Sequence, residues 1–303
     1  MTPDEEQLSM VHLSTATPER FSELAPDPAA DLAGLQVHLA RGSVRPAHLM
    51  VADIDGTDVG RVTIISLPGG TNLAHAFQVP PDGSDIEGVY RVLLDGVAEA
   101  ARSAGLAAVE TTVVDADEPA PRQKRAALVA AGWSPDGDRL ELTAQPVVTA
   151  RPDDVVEVGP SDPRVVTVIA AAMAESLDDY DRDQVAALGA RDAAVAYRDM
   201  MSGGALSVPW LAHLGPEGLD GIAAIQPYPD DWCLGYLGVA PVARRRGVGV
   251  ALSRAMLAAT AAAGVGEATA SVAVANAPVR ATLQRVGFTV RSPRTDFVLQ
   301  VAG

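Results

Sequence analysis

The two halves of this chain of 303 residues repeat each other. A shift of 155 positions places RAALVAAGW (125 to 133) on RATLQRVGF (280 to 288), where arginine, alanine, leucine, glycine and an aromatic residue agree. A shift of 159 positions places ETTV (110 to 113) on TASV (269 to 272). Two such matches in the same order along the chain indicate a tandem duplication. Each copy must then be able to form the same fold.

Both copies contain predicted strands and helices in comparable places. Alternating β-branched residues around Asp55-Gly56 predict a β-hairpin, and apolar spacing over residues 92–104 predicts a helix. In the second copy DWCLGYLGV (231 to 239) is predicted to be a strand and residues 184–204 a helix. One short helix is expected within residues 18–42. These patterns predict an α+β fold.

The domain division follows from the repeat. We predict a first domain in residues 1–150 and a second in residues 151–303, and the segment RPDDVVEVG (151 to 159) is interpreted as a linker or an opening edge strand.

Charge and cysteine content exclude several classes of partner. The formal net charge is −16, and such an acidic chain has no broad basic face for nucleic acid or an anionic membrane. The N-terminus lacks the basic region and apolar run of a signal peptide, and no stretch approaches the roughly 20 apolar residues of a membrane span. A single cysteine, Cys233, is typical of a reducing compartment. We therefore expect a cytoplasmic protein that is a monomer or a homodimer. We also expect no metal site, because no Cys/His cluster has metal-ligand spacing.

The segment APVARRRGVGVAL (240 to 252) has the composition of an anion-binding loop. It follows a predicted strand and opens a predicted helix, whose first backbone N–H groups are unpaired and lie at the positive end of the helix dipole. A Walker loop would need Gly-Lys-Ser/Thr, but Val250 follows Gly249, and a dinucleotide fingerprint would need a small residue where Leu252 stands. The pattern that fits is Arg/Gln-x-x-Gly-x-Gly/Ala after a strand, and it suits a pyrophosphate.

With this loop, the chain resembles the GCN5-related N-acetyltransferase (GNAT) superfamily. The resemblance continues through the next strand, Asn276 and a helix that closes on Gly287-Phe288. It covers residues 160–303 well and, through the repeat, residues 47–145 weakly. It implies two tandem GNAT-like domains, each a mixed, mostly antiparallel sheet flanked by helices, and acetyl-CoA as co-substrate. The residues it assigns to acetyl-CoA are Leu237, Gly238 and Val239 for the pantetheine arm, Arg244, Arg245, Arg246, Gly247, Val248, Gly249 and Val250 for the pyrophosphate, and Asn276, which is alternatively a helix N-cap.

The first copy lacks this loop. DIEGVY (85 to 90) lies on RRRGVG (244 to 249), so carboxylates replace two arginines and Tyr90 stands at the second glycine. Each charge reversal near a phosphate is a matter of several kcal/mol before screening. We therefore expect a degenerate N-terminal copy with a structural role or a role as a wall of the acceptor site. Alternatively, its acidic loop faces a cationic substrate.

The family's usual general acid is also missing. The resemblance places that tyrosine at Leu283, and the first copy has Leu128 there. Tyr236 is the best substitute, although it could equally be a half-buried strand tyrosine. For the acceptor, Asp178, Asp179 and Asp181 suit an ammonium group. One of them or Glu175 could act as base through water, or the segment could be a solvated acidic loop.

These observations predict an acetyl-CoA-dependent N-acetyltransferase. The expected acceptor is a primary amine of a small molecule, which attacks the thioester directly in a ternary complex. Two alternatives stay open: acetylation of a protein amine or a mycothiol-like amino sugar, and an acyl-CoA-binding regulator with weak turnover, which Leu283 favours.

Overall fold

The computed structural model describes residues 10–67, 70–79, 85–118, 120–202, 208–228 and 231–301. The chain forms two compact units. Unit 1 comprises Met1–Asp136 and Thr295–Gly303, and unit 2 comprises Gly137–Arg294. This division differs from the predicted one because the end of each half's last strand lies in the unit of the other half.

The helices and strands alternate along both halves. In the first half they are β1 (Val11–Thr15), α1 (Pro18–Ser22), α2 (Pro28–Arg41), β2 (Met50–Ile54), β3 (Thr57–Ser66), β4 (Asn72–Gln78), α3 (Ile86–Ser103), β5 (Ala108–Val114), α4 (Pro121–Ala130) and β6 (Ser134–Ala144). In the second half they are β7 (Val155–Val158), α5 (Pro163–Met173), α6 (Asp179–Leu188), α7 (Ala190–Ser202), β8 (Trp210–Gly215), β9 (Gly218–Pro227), β10 (Asp231–Val239), α8 (Val248–Ala262), β11 (Glu267–Ala273), α9 (Ala277–Arg285) and β12 (Thr289–Gln300).

The two units have the same strand order. In unit 1 the order is β1-β2-β3-β4-β5-β12, and in unit 2 it is β7-β8-β9-β10-β11-β6. The first four strands of each order are antiparallel neighbours, and the fourth and fifth are parallel. The predicted α+β class with mixed, mostly antiparallel sheets and flanking helices is confirmed.

The same close contact between helix and sheet recurs in both units. A Cβ on Gly60 would lie 2.7 Å from Cγ1 of Val89, and a Cβ on Gly221 would lie 2.7 Å from Cγ1 of Val248. Val89 and Val248 are separated by the 159 positions of the sequence repeat. Glycine at these two strand positions lets α3 and α8 lie against their sheets.

Unit 2 buries apolar side chains on both faces of its sheet. Alternate residues of β8 and β9 point to opposite faces, so Leu211 and Ala223 pack with α8 and α9, whereas Ala212 and Ile222 pack with α5 and α7. In unit 1, α3 and α4 pack on one face, where Leu93 is wholly buried.

Several local predictions were wrong in detail. The single helix expected in residues 18–42 is two helices, α1 and α2, and β1 was not predicted. The helix expected over 184–204 is divided by Gly189, whose φ of 80° is outside the helical region, and residues 203–204 lie outside the described residues. The acidic segment 176–183, for which the sequence left an acceptor site and a solvated loop open, leads into α6, which begins at Asp179. The hairpin is confirmed, because Asp55 and Gly56 have positive φ.

None of the described helices is long and apolar enough to cross a membrane.

Candidate functional site

The strand β10 carries a bulge near its middle. Its pairing with β9 shifts register between Leu234 and Tyr236, so Gly235 is the extra residue. The bulge carbonyl is held from α7, because the Tyr197 hydroxyl donates a hydrogen bond to Gly235 O at 2.8 Å. Beyond the bulge, Tyr236 packs with α5 and α7, whereas Leu234 before it packs with α8.

After the bulge, β10 leaves its parallel neighbour. β10 and β11 pair over three residues only, and the last pair is Cys233↔Thr269. β11 continues to pair with β6 as far as Ala273, and β10 continues with β9 to its end. Within the described ranges, the edge of β10 that faces away from β9 therefore has no strand partner over residues 234–239. The edge offers backbone donors and acceptors to an extended ligand.

The loop after β10 presents backbone N–H groups in the same region. Arg245 and Gly247 have positive φ, 63° and 88°. Gly247 is the N-cap of α8 and contributes no side-chain cap. In the described part of the chain, the backbone N–H groups of residues 245–250 have no acceptor, and the first one satisfied is that of Ala251, which donates to Gly247 O. This is the arrangement that binds a phosphate group at a helix N-terminus.

Gly249 keeps the first turn of α8 open. A Cβ at this position would lie 3.2 Å from Cγ2 of Thr282 and 3.8 Å from Cγ2 of Val239. A larger side chain would therefore fill the space between the end of β10 and α9. The free N–H groups and this space fit a pyrophosphate.

The first arginine of the loop contacts the protein. The Arg244 guanidinium donates to Val239 O (3.1 Å), Ala172 O (3.2 Å) and Glu175 O (3.2 Å), and so ties the end of β10 to the end of α5. Arg245 is exposed and has no ion pair among the described residues. Of these two side chains, only that of Arg245 is free to meet an anion.

Asn276 caps a helix. Its side-chain oxygen accepts a hydrogen bond from Val279 N at 3.4 Å at the start of α9. The alternative role that the sequence left open is therefore present, and a contact with acetyl-CoA stays a prediction.

The corresponding segment of unit 1 is closed by its own side chains. α3 begins at Ile86, and the Asp85 carboxylate, as N-cap, accepts a hydrogen bond from Gly88 N at 2.9 Å. Tyr90, which matches Gly249, is 1% exposed, and its buried hydroxyl has no hydrogen-bond partner in the described ranges. A phosphate at this helix end would be repelled by the Asp85 carboxylate, which already accepts a hydrogen bond from the Gly88 N–H.

Lys124 fills the region between β4 and β5 in the same unit. Its buried ammonium pairs with Glu118, donates to Thr112 O at 3.3 Å and lies 4.9 Å from the ring centroid of Phe77. Thr112 belongs to β5 and Phe77 to β4, so this side chain spans the two strands. The degenerate character predicted for the N-terminal copy agrees with both observations.

Tyr236 is at the inner end of the free edge of β10. Its side chain is 8% exposed, and its ring centroid is 4.9 Å from that of Tyr197. A Cβ on Gly238 would lie 2.5 Å from Cε1 of Tyr236, so the ring extends along the strand toward the loop. Burial, and then the charge of Asp181, raise the pKa of Tyr236 well above its ordinary value. The phenol is therefore a proton donor and not a base at neutral pH.

The first turn of α6 contributes a buried carboxylate. Asp181 is 5% exposed, and its Oδ2 accepts a hydrogen bond from the Ser176 hydroxyl at 2.6 Å. Burial raises the pKa of Asp181 to about 6. Sequence reasoning named Asp181 among three acids but gave no signal to separate it, because its burial depends on how α6 packs with α7.

Two more of the four acids predicted as candidate bases, Asp178 and Glu175, contact arginines. Asp178 is the N-cap of α6, accepting from Tyr180 N, and pairs with Arg139 at 3.2 Å. Glu175 is mostly exposed and lies 3.4 Å from Arg244. Arg139 comes from β6, the last strand of the first half, so no local sequence pattern could associate it with this site.

Other predicted residues occupy the core or the surface. Leu283 is 1% exposed and packs with α8, so the position of the family's usual acid is part of the core. Burial raises the pKa of the Cys233 thiol to about 11. The described residues contain no group of three or more His, Cys, Asp or Glu side chains that could hold a metal ion.

The diverging strands, the bulge and the loop of free N–H groups together form a site that fits an extended ligand ending in a pyrophosphate. Residues 178–288 match the model of the acetyltransferase (GNAT) family, which confirms the resemblance for this segment. Members of the family are acyltransferases.

Solved structures agree over nearly the whole chain. A GCN5-related N-acetyltransferase from Sphaerobacter thermophilus matches with a TM-score of 0.63 at 14% identity, covering 97% of this chain and 96% of that one. A tandem GNAT protein from the clavulanic acid biosynthesis pathway matches with a TM-score of 0.58 at 15% identity, covering 97% and 99%. At such identities the likeness shows the fold alone. A search of curated protein sequences found no significant match.

Proposed function

We propose that this protein is an acetyl-CoA-dependent N-acetyltransferase that acetylates a primary amine of a small molecule in a ternary complex. The observation that carries this proposal is the divergence of β10 from β11 beside a loop, residues 245–250, whose backbone N–H groups have no acceptor among the described residues. A pantetheine arm is extended and amide-bearing, so it can add to the free edge at Leu237, Gly238 and Val239. A pyrophosphate is the anion that the loop suits.

The chemistry requires little of the side chains. The amine nitrogen attacks the thioester carbonyl carbon, the C–N bond forms and the C–S bond breaks. Backbone N–H groups on the free edge of β10 would polarise the carbonyl. The leaving thiolate takes a proton from Tyr236, whose raised pKa keeps its hydroxyl protonated, and the proton that the nitrogen loses as the amide forms restores the Tyr236 hydroxyl. The presence of Leu283 where the family usually has a tyrosine makes Tyr236 the acid that this chain offers.

Two alternatives follow from the same residues. A protein amine or a mycothiol-like amino sugar would use the same transfer step. An acyl-CoA-binding regulator is favoured by one observation, that Leu283 is buried in the core and can donate no proton. The cytoplasmic location and the monomeric or dimeric state remain predictions.

A turnover assay separates these proposals. The purified chain is mixed with acetyl-CoA and, in turn, an aliphatic diamine, an amino sugar, an arylamine and a lysine peptide, and free CoA is measured against a reaction without amine. CoA release that depends on a small amine supports the proposal, whereas release with the peptide alone points to a protein substrate. Binding of acetyl-CoA without release across the panel would favour the regulator.

A further inference from the structure

We propose that a cavity in unit 1 binds a small aliphatic carboxylic acid that also carries a hydrogen-bond donor. The cavity lies among β1, the short 3₁₀ helix Pro46–His48 and the C-terminal half of α3, and its volume is about 400 Å³. This volume is within the range of small-molecule sites. The lining of the cavity, called the unit 1 cavity below, includes Leu13, Arg45, His48, Met50, Gly96 and Ala100. All of these residues belong to unit 1, so the proposal is independent of acetyl-CoA binding in unit 2.

Arg45 supplies an uncompensated positive charge. It is the N-cap of the 3₁₀ helix, is exposed at the cavity and has no ion pair among the described residues. Glu99, the acid in the described lining, is already paired with Arg102 at 2.9 Å and accepts a hydrogen bond from the Ser103 hydroxyl at 3.3 Å. A guanidinium without a partner binds a carboxylate through charge-assisted hydrogen bonds. The unit 1 cavity therefore favours an anion, although the formal net charge of the chain is −16.

His48 supplies a buried hydrogen-bond acceptor. It lines the cavity and is 5% exposed. Burial, and then the charge of Arg45, lower the pKa of His48, so the imidazole is neutral at neutral pH. A neutral imidazole has one N–H and one acceptor nitrogen, and the N–H is used by the backbone of Ile64. In the described part of the chain the acceptor nitrogen has no donor, so a ligand hydroxyl or N–H would supply the missing partner.

The remaining walls of the cavity are apolar. Gly96, Ala100 and Ala104 are spaced four residues apart along α3 and its C-cap, and all three line the cavity. A Cβ on Gly96 would lie 2.4 Å from Cδ2 of Leu13 and 3.1 Å from Sδ of Met50. Glycine inside a helix is unfavourable relative to alanine, and here it lets Leu13 and Met50 approach α3. These small residues and their apolar neighbours form the wall that an aliphatic group would contact.

Together these groups select the class of ligand. Arg45 repels a cationic amine, and an inorganic anion would lose hydration beside the apolar walls without gaining contacts. Leu13 is 37% exposed, so an aliphatic ligand would remove apolar surface from water. A hydroxyl beside the carboxylate would donate to His48 while the carboxylate binds Arg45. An aliphatic 2-hydroxy acid meets these requirements.

Calorimetric titration tests the proposal with 2-hydroxy-4-methylpentanoate as the probe. We expect the wild type to bind it with a Kd of about 1 mM or tighter, and Arg45→Gln to bind it at least about 10-fold more weakly. Arg41→Gln is the matched control, because Arg41 is exposed and is not among the described lining residues. Two further probes, 2-hydroxy-4-methylpentanamide and 4-methylpentanoate, lack the charge and the hydroxyl respectively. Each should bind the wild type about 10-fold more weakly than the hydroxy acid.

Gly96→Ala tests the shape of the cavity, with Gly34→Ala as its control. Both glycines lie inside helices, but a Cβ on Gly34 meets no atom within 4 Å. The methyl group at position 96 must displace Leu13, which lines the cavity. We therefore expect Gly96→Ala to weaken probe binding by about 5-fold or more and Gly34→Ala to leave it unchanged. The thermal unfolding midpoint of each variant shows whether it is folded.

Gly249→Asp separates the unit 1 cavity from the loop of residues 245–250, which also attracts anions. Unchanged probe binding in Gly249→Asp supports a separate site, whereas loss of binding overturns the proposal because the probe would then occupy the loop. Equal affinities within either pair of variants, or no binding by the wild type at about 10 mM probe, also overturn it. None of these titrations contains acetyl-CoA, so their failure leaves the proposed function standing, and failure of the turnover assay leaves this proposal standing.

Discussion

Asp181 is a buried carboxylate whose charge is costly for stability. Its carboxylate is buried and its only described hydrogen-bond donor is Ser176. Burial raises its pKa from 3.8 to about 6. A rise of this size corresponds to about 3 kcal/mol of differential proton binding. Such costs are common where a charge serves a reaction.

The raised pKa predicts a pH-dependent gain in stability for Asp181→Asn. The folded chain binds this proton more tightly than the unfolded chain, so the free energy of unfolding falls as pH rises from about 4 through 6. Asparagine has no such charge. At pH 7.5 the variant should be more stable than the wild type by up to about 3 kcal/mol, and the difference should vanish near pH 4. Urea unfolding at several pH values measures this, with Asp183→Asn unchanged. If Asp181→Asn is less stable than the wild type at pH 7.5, the charged Asp181 carboxylate does not destabilise the folded chain and this prediction is wrong.

At the scale of elements, the site depends on how the end of β10 is fixed. The Arg244 guanidinium links Val239 O on β10 to Ala172 O and Glu175 O at the end of α5. The arginine predicted from sequence as a phosphate ligand is therefore also a structural link. Its backbone still leads into the loop with free N–H groups.

Removal of this link should act on stability first. Arg244→Ala leaves three backbone carbonyls without this donor, and we expect a loss of about 1–3 kcal/mol in the free energy of unfolding. Arg245→Ala should change stability by less than about 0.5 kcal/mol and weaken acetyl-CoA binding, more strongly at low salt. Arg254→Ala, an exposed arginine further along α8, is the control for both measurements. Equal stability of the Arg244 and Arg245 variants would show that the link is unimportant.

The sequence predicted the elements whose signals are local. The hairpin at Asp55-Gly56 and the bounds of β10 needed only turn chemistry and apolar alternation. The N-cap role of Asp178 was missed because the acidic composition of residues 176–183 is equally typical of a loop. The break at Gly189 was missed because a single glycine inside a helical pattern does not by itself end a helix. The loop of free N–H groups could be predicted, because its glycines are specific. The burial of Asp181 could not, because it depends on tertiary packing.

At the scale of the whole molecule, each unit is completed by a strand from the other half of the sequence. In unit 2, β11 pairs with β6 from Ala268↔Ala144 to Ala273↔Arg139. Leu142 of the same strand is in the core of this unit. The ordered sequence matches reveal the repeat. They do not show in which unit the last strand of each copy is paired.

Two fragments test this exchange of strands. The fragment 137–294 contains all of unit 2, whereas the fragment 151–303 lacks β6 and keeps residues assigned to unit 1. We expect 137–294 to unfold cooperatively in urea and 151–303 to be unfolded or aggregated, because β11 becomes an unpaired edge and the core loses Leu142. Hydrogen exchange of the β11 amides is the direct readout. Equal protection in the two fragments would contradict the assignment of β6 to unit 2.

The most direct test of the central claim is calorimetric titration of acetyl-CoA into the wild type, Gly249→Asp and Gly266→Asp. Gly266 is exposed, and a Cβ there meets no atom within 4 Å, so this control adds the same charge beyond the end of α8. We expect one site per chain in the wild type and in Gly266→Asp, and no binding in Gly249→Asp. Stoichiometric binding that survives in Gly249→Asp would contradict the account, because unit 1 or another surface would then hold the acetyl-CoA.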